Sequence, residues 1–189
     1  MTKSKNLDQS SATHRLLFND DLTALADTLR FAEDSHSIFS AIDALSAQVI
    51  GHRLFTIMRF DAARAEVERL YSNDPATYPI GGRKKKADTA WANQVLHDMK
   101  IFRADNPDAI RAAFDDHQTI LGLGIGAILN IPLVYAGRCL GTMNFCHEDG
   151  WYGADEERTG VLLSAFLIPA LLESSLAPQS GERVPSEYQ

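Results

Sequence analysis

Apolar residues recur along this chain with two different periods, and the changes of period divide it into elements. Leu22, Leu25, Ala26 and Leu29 share one helical face, which predicts a helix over 21–32 with Asp20 as its cap. Ile38, Phe39, Ile42, Leu45, Val49 and Ile50 form a broader stripe on a second helix, beginning at Ser35 or Ser37 and ending at Gly51. From Arg53 the period falls to two. Residues 53–60 and 65–71 read as strands joined through Asp61-Ala62-Ala63-Arg64. Ser72 to Ala87 has no period and carries Pro75, Pro79, Gly81 and Gly82, so it reads as a long loop of the kind that is commonly functional.

A third helix is expected from Asp88 or Thr89 through Met99, with Trp91, Val95 and Met99 on one side. Ile101 to Arg103 is a short extended piece, and Asn106-Pro107 opens a helix running to about His117. Gly122, Gly124 and Gly126 precede a strand over 127–134. With the turn Ala136-Gly137 and residues 138–147 it makes a long hairpin. After Asp149 to Gly153 a last helix runs from Asp155 to about Ser174, apolar at Val161, Leu162, Ala165, Phe166, Ile168 and Leu172 and kinked at Pro169. The order α, α, β, β, α, β, α, β, β, α predicts an antiparallel sheet covered on both faces. Residues 1–14 and 176–189 have few large apolar groups and are expected to be frayed tails around one domain at 15–175.

Composition narrows the function. A chain of 189 residues, 45% hydrophobic, is one domain with enough material for a core. Its formal charge of −7 argues against nucleic acid as a partner, because duplex binding needs a basic face. Cys139 and Cys146 are too few for a disulfide framework and suit a reducing compartment. Residues 1–11 lack an apolar signal core, and the most apolar stretch, Val161 to Leu172, is shorter than the roughly 20 residues a bilayer requires. A cytoplasmic, bacterial-style protein without a membrane segment is expected.

The run from Asn130-Ile131-Pro132-Leu133 through Ala136-Gly137 to Leu140-Gly141-Thr142-Met143-Asn144-Phe145 resembles the hairpin of GAF domains. The Asp-rich turn and apolar helix after it, and the early helix leading into a strand ending Arg59-Phe60-Asp61, are similar too. The resemblance covers about 21–174. It implies an α/β domain of the α+β type, a three-layer α/β/α arrangement with a central antiparallel sheet, GAF/PAS-like. It also implies a small-molecule pocket under the middle helices and loops, terminal helices that pair in a homodimer, and a sensory role exercised through a partner signalling protein. The Asn-Lys-Phe-Asp-Glu signature of cyclic-nucleotide GAF domains has no counterpart in the chain, and both cysteines fall on a strand, away from the loop or helix position of a bilin attachment site. The same placement weakens a thiol-dependent reductase of the free methionine sulfoxide type. A ligand-free dimerisation module is the third reading.

No cofactor is called for by the residues. Gly122-Leu123-Gly124-Ile125-Gly126 precedes a strand, whereas a dinucleotide loop follows one. The six histidines have no ligand spacing, so no metal is expected, and a single-histidine haem is an alternative the residues leave open. Arg83-Lys84-Lys85-Lys86 is either a solvated loop or a rim that attracts an anion. Aromatic and amide groups in and near the same segment make Tyr71, Asn73, Tyr78 and Trp91 candidates for ligand binding. Alternation puts Thr142 and Asn144 on one face of the last strand, and a buried strand asparagine needs partners, so Thr142, Asn144 and Asn130 complete the expected site. A small polar or anionic metabolite is the expected ligand of a non-enzymatic sensor.

Overall fold

The computed structural model describes residues 14–86 and 89–176. The expected tails lie outside them except for His14, whose Nε2 sits 2.8 Å from the Glu156 carboxylate, and Leu176. Helix α1 (Asn19–Phe31) starts two residues before the expected position. Its end is held by Asp21 and not Asp20: the Asp21 carboxylate accepts from the Phe18 backbone N–H and from both terminal nitrogens of Arg15. Helix α2 (Ser35–Val49) is capped by Asp34, whose Oδ1 accepts from Ser37 N at 2.8 Å.

Six strands form one antiparallel sheet in the order β3-β2-β1-β6-β5-β4. They are β1 (Leu54–Asp61), β2 (Glu66–Ser72), β3 (Arg83–Lys85), β4 (Phe102–Ala104), β5 (Ala127–Tyr135) and β6 (Arg138–His147). The three-layer α/β/α arrangement expected from the sequence is the one observed. On one face α1, α2, α6 (Ala154–Ser164) and α7 (Ile168–Leu176) bury Phe55, Ile57, Leu129, Ile131, Met143 and Phe145 in a continuous core. On the other face lie α3 (Ala90–Ala92), the π turn Asn93–His97, α4 (Pro107–Ala113) and α5 (His117–Gly122).

Four elements differ from the expected reading. β3 arises inside the supposed loop, where Lys84 pairs with Val67 and Arg83 with Glu68. The helix expected from Asn106 to His117 is two helices, because Phe114 takes an extended conformation at φ −128°, ψ 128°. The third helix widens into a π turn at Asn93, and of its two expected caps Asp88 lies outside the described residues while Thr89 Oγ1 accepts from Ala92 N. The last helix is interrupted by a 3₁₀ turn at Ala165–Leu167, since Pro169 has no N–H for the carbonyl four residues earlier.

Candidate functional site

Opposite the continuous core, the sheet's second face carries two separate apolar clusters. One gathers Leu54, Ile110, Ile120, Ile128 and Cys146; the other gathers Phe60, Val67, Trp91, Val95 and Leu96. Between them lies a cavity of about 280 Å³. Alternation supplies its floor: Leu54, Thr56 and Met58 from β1, Asn144 and Cys146 from β6, and Ile128 and Asn130 from β5. Trp91, Phe114 and Ile120 close it from the helical side.

A row of polar side chains crosses this floor. Asn130 pairs with Asn144, and Asn144 with Thr56, in the strand register, so the three stand side by side on β5, β6 and β1. Trp91 Nε1 donates to Asn130 Oδ1 at 2.8 Å, Asn130 Nδ2 to Asn144 Oδ1 at 2.8 Å, and Asn144 Nδ2 to Thr56 Oγ1 at 3.1 Å. All four residues are buried, and each donor or acceptor named meets its complement.

The opposite edge is cationic. Arg69 from β2, with Arg83, Lys84 and Lys86, lines the cavity. Arg83 is held by Glu66 and Glu68 at 3.6 and 3.2 Å. Lys86 Nζ lies 4.6 Å from the Trp91 ring centre, and the Arg69 guanidinium lies 5.0 Å from that of Tyr78. Burial pulls both cations below their usual pKa, helped at Lys86 by the charge of Lys84. Burial also pushes the Tyr78 hydroxyl up to about 12, with Asp116 adding to it. Arg69 Nε and Tyr78 Oη are buried without a hydrogen-bond partner among the described residues. Both are donors on residues that line one cavity, and a buried donor gains from an acceptor.

Of the seven residues expected at the site, Tyr78, Trp91, Asn130 and Asn144 meet at this cavity; Tyr71, Asn73 and Thr142 do not line it. Tyr71 is displaced by a β-bulge. Ile57 pairs with Tyr71 but Met58 pairs with Arg69, so Leu70 is extra and its two neighbours face opposite sides of the sheet. Tyr71 therefore joins Phe39 and Phe55 in the main core and donates to Asp43 at 2.7 Å. Asn73 prolongs β2 alongside β1, its Oδ1 accepting from Phe55 N and its Nδ2 donating to Arg53 O. Thr142 precedes Asn144 by two residues on β6 but is fully buried.

Arg69, Asp116, Thr56 and Phe114 are among the lining residues that sequence reasoning missed. The alternation Leu54-Thr56-Met58 could have placed Thr56 opposite Asn144. Arg69 needed the bulge to be known. Burial pushes the thiols of Cys139 and Cys146 up to about 11 and about 12, and they stand near opposite ends of β6. Among the described residues no three His, Cys, Asp or Glu side chains converge as a metal site.

Solved structures with the same layers and topology decide the fold. The chain matches the GAF domain of a phosphoenolpyruvate-protein phosphotransferase from Acinetobacter with a TM-score of 0.67 and 14% identity, over 82% of this chain and 93% of that one. The chain has the GAF fold. The GAF domain of the corresponding Coxiella burnetii protein matches at TM-score 0.64 and 14% identity, covering 83% of this chain and 96% of its own. A GAF domain/HD domain protein from Geobacter sulfurreducens matches at TM-score 0.64 and 12% identity, covering 78% and 99%. No protein-family profile matches the chain, and no curated protein does. In this GAF fold the cavity lies under the middle helices and β3, where the hairpin resemblance led one to expect it.

Proposed function

We propose that this GAF-fold chain is a sensory or regulatory domain without catalytic activity, which binds a small polar or anionic molecule in the cavity between the two apolar clusters. The lining of the cavity between the two clusters, which Phe102 and Phe114 otherwise bridge, carries this reading. Here the gap is bordered by a satisfied amide row, unpaired Arg69 Nε and Tyr78 Oη, and apolar walls. A volume of about 280 Å³ lies just below the roughly 300–1,000 Å³ of drug-sized sites, which favours a metabolite over a large chromophore.

Raised thiol pKa values disfavour the reductase alternative, because sulfur attack needs a thiolate. Output passes to a partner signalling protein through the helical face. Exposed Leu16, Phe18 and Phe31 near α1, with Val161 and Leu162 on α6, favour pairing of terminal helices in a homodimer. Two free cysteines suit the cytoplasm. No described helix is long and apolar enough to cross a membrane.

A thermal-shift screen of carboxylates, purines, nucleotides, amides and amino acids tests the central point. A molecule that binds only the folded chain raises the melting temperature by mass action, and Trp91→Ala abolishes the rise. A screen with no shift for any compound would favour the ligand-free dimerisation module instead.

A further inference from the structure

Asp116, in the turn between α4 and α5, is the one carboxylate among the residues lining the cavity. Its nearest cation is Lys84 Nζ at 3.9 Å, a loose contact between two exposed side chains. Its charge reaches further. Burial is the largest influence on Arg69, Tyr78, Lys86 and Cys146, followed by Tyr78 at Arg69 and Lys84 at Lys86; Asp116 then favours the protonated form of all four, and all four line the cavity. Arg69 and Lys86 form no ion pair within 4 Å among the described residues, although acidic residues outnumber basic ones in the chain. The cavity thus holds more positive charge than its single resident anion offsets, and that anion is only weakly held.

β3 arranges these cations in a line. Arg69 follows Glu68, which pairs with Arg83; Lys84 pairs with Val67; Lys86 N donates to Ala65 O at the far end. Arg69 and Tyr78 therefore stand at one pole, Lys86 over Trp91 at the other, and Lys84 with Asp116 between them. Below this line lie Leu54, Met58 and Ile128 of the floor with Ile120 from the helical side, around an amide row whose hydrogen bonds are made within itself and to Trp91. A ligand that satisfies both halves has one anionic group at the rim and an apolar body beneath it.

We infer that the ligand is a small carboxylate with an apolar body, and that its carboxylate takes over the cations that Asp116 now partly neutralises, displacing Asp116 from Lys84. This rests on the reading of the cavity as a ligand site. Asp116 then acts as a built-in competitor that sets the affinity threshold, and the turn at 114–116 is the part of the roof that responds to occupancy.

Matched acid and amide pairs separate the two claims: benzoate and benzamide, phenylacetate and phenylacetamide, hexanoate and hexanamide, titrated calorimetrically at low salt into the full chain. At least one acid is expected to bind, with its amide at least about tenfold weaker, as for loss of a charge-assisted contact. Asp116→Asn is expected to tighten that acid by up to about fivefold, the size of an exposed pair's contribution, and Arg69→Gln to weaken it. Equal binding of acid and amide, or an Asp116→Asn variant that binds the acid no better, overturns the inference while leaving the cavity reading intact. Silence from every acid overturns it too, and silence from the neutral compounds of the thermal-shift screen as well removes the ligand site itself. Thermal denaturation of each variant confirms folding; Lys84→Gln, which removes a cation the carboxylate is inferred to take over, is expected to weaken the acid, and unchanged acid binding in it would overturn the displacement of Asp116 from Lys84.

Discussion

Asn130 Nδ2 donates to Asn144 Oδ1 at 2.8 Å, so the two side chains repeat in the cavity floor the cross-strand pairing their backbones already make. Each is buried, and each has a further partner, Trp91 for the first and Thr56 for the second. Removing Asn130 therefore strands a donor and an acceptor together. Asn130→Ala is expected to destabilise the fold by about 2–4 kcal/mol, as two buried polar groups lose their partners. Urea denaturation measures it, and a loss under about 1 kcal/mol would mean that water already serves the row.

The bulge at Leu70 gives a second expectation. Tyr71 is 8% exposed, and burial with the Asp43 carboxylate beside it pushes its hydroxyl up to about 12 from 10.0. The unfolded chain ionises this group first. Its stabilising contribution is whole below pH 10 and is lost as pH rises through about 12. Tyr71→Phe should cost about 1–2 kcal/mol at neutral pH through the lost bond to Asp43, and should make the alkaline fall in stability shallower. Unchanged alkaline behaviour in the variant would assign that fall to the other buried acids, Tyr78, Tyr152, Cys139 and Cys146.

Elements built on long periodic runs were legible in the chain, as Ile38 to Val49 and the pairing of 127–134 with 138–147 show. β3 was not, because its three residues are Arg, Lys and Lys, all exposed, and backbone pairing to β2 alone makes them a strand. Asn130, Asn144 and Trp91 could be picked out because buried amides and indoles need partners. Tyr71 and Arg69 could not be assigned to their faces, since one bulged residue reverses the alternation on which the assignment depends. Asn73 imitates a strand backbone with its side chain, a role that no period announces.

His147 predicts an acid limb. Its ring stacks on Trp151 with centroids 3.4 Å apart, and its Nδ1 accepts from Glu148 N. Burial foremost, then the charge of Arg53, draws its pKa down to about 4 from 6.5. The folded chain resists a proton that the unfolded chain takes, so this contribution is present above pH 6.5 and is lost as pH falls through about 4. An NMR titration of the imidazole should give a midpoint near 4, and His147→Gln should flatten stability across that window. A midpoint near 6.5 would show that the ring is freely hydrated.

Cysteine reactivity offers a functional control. Burial pushes Cys146 up to about 12 and Cys139 up to about 11, so neither is a thiolate at pH 8. Both should resist a maleimide in the folded chain and react promptly in denaturant, as followed by mass spectrometry. Rapid labelling of both in the native state, with loss of methionine sulfoxide turnover in the double serine variant, would replace the sensor by the reductase.

Two glycines, Gly141 in β6 and Gly160 where α6 meets the sheet, leave no room for a side chain, and they should differ. A Cβ at Gly141 would come 1.9 Å from Met58 O, an atom fixed by the β1–β6 pairing. A Cβ at Gly160 would come 2.0 Å from Ile131 Cδ1, the far end of a side chain that can rotate. Both substitutions overfill, which typically costs about 1–3 kcal/mol, but Gly160→Ala also recovers up to about 1 kcal/mol of helix propensity. Gly141→Ala is therefore expected to be the more damaging in calorimetric unfolding. Because Met58 lines the cavity, its displacement should also weaken ligand binding, whereas Gly160→Ala, on the opposite face, should leave affinity unchanged.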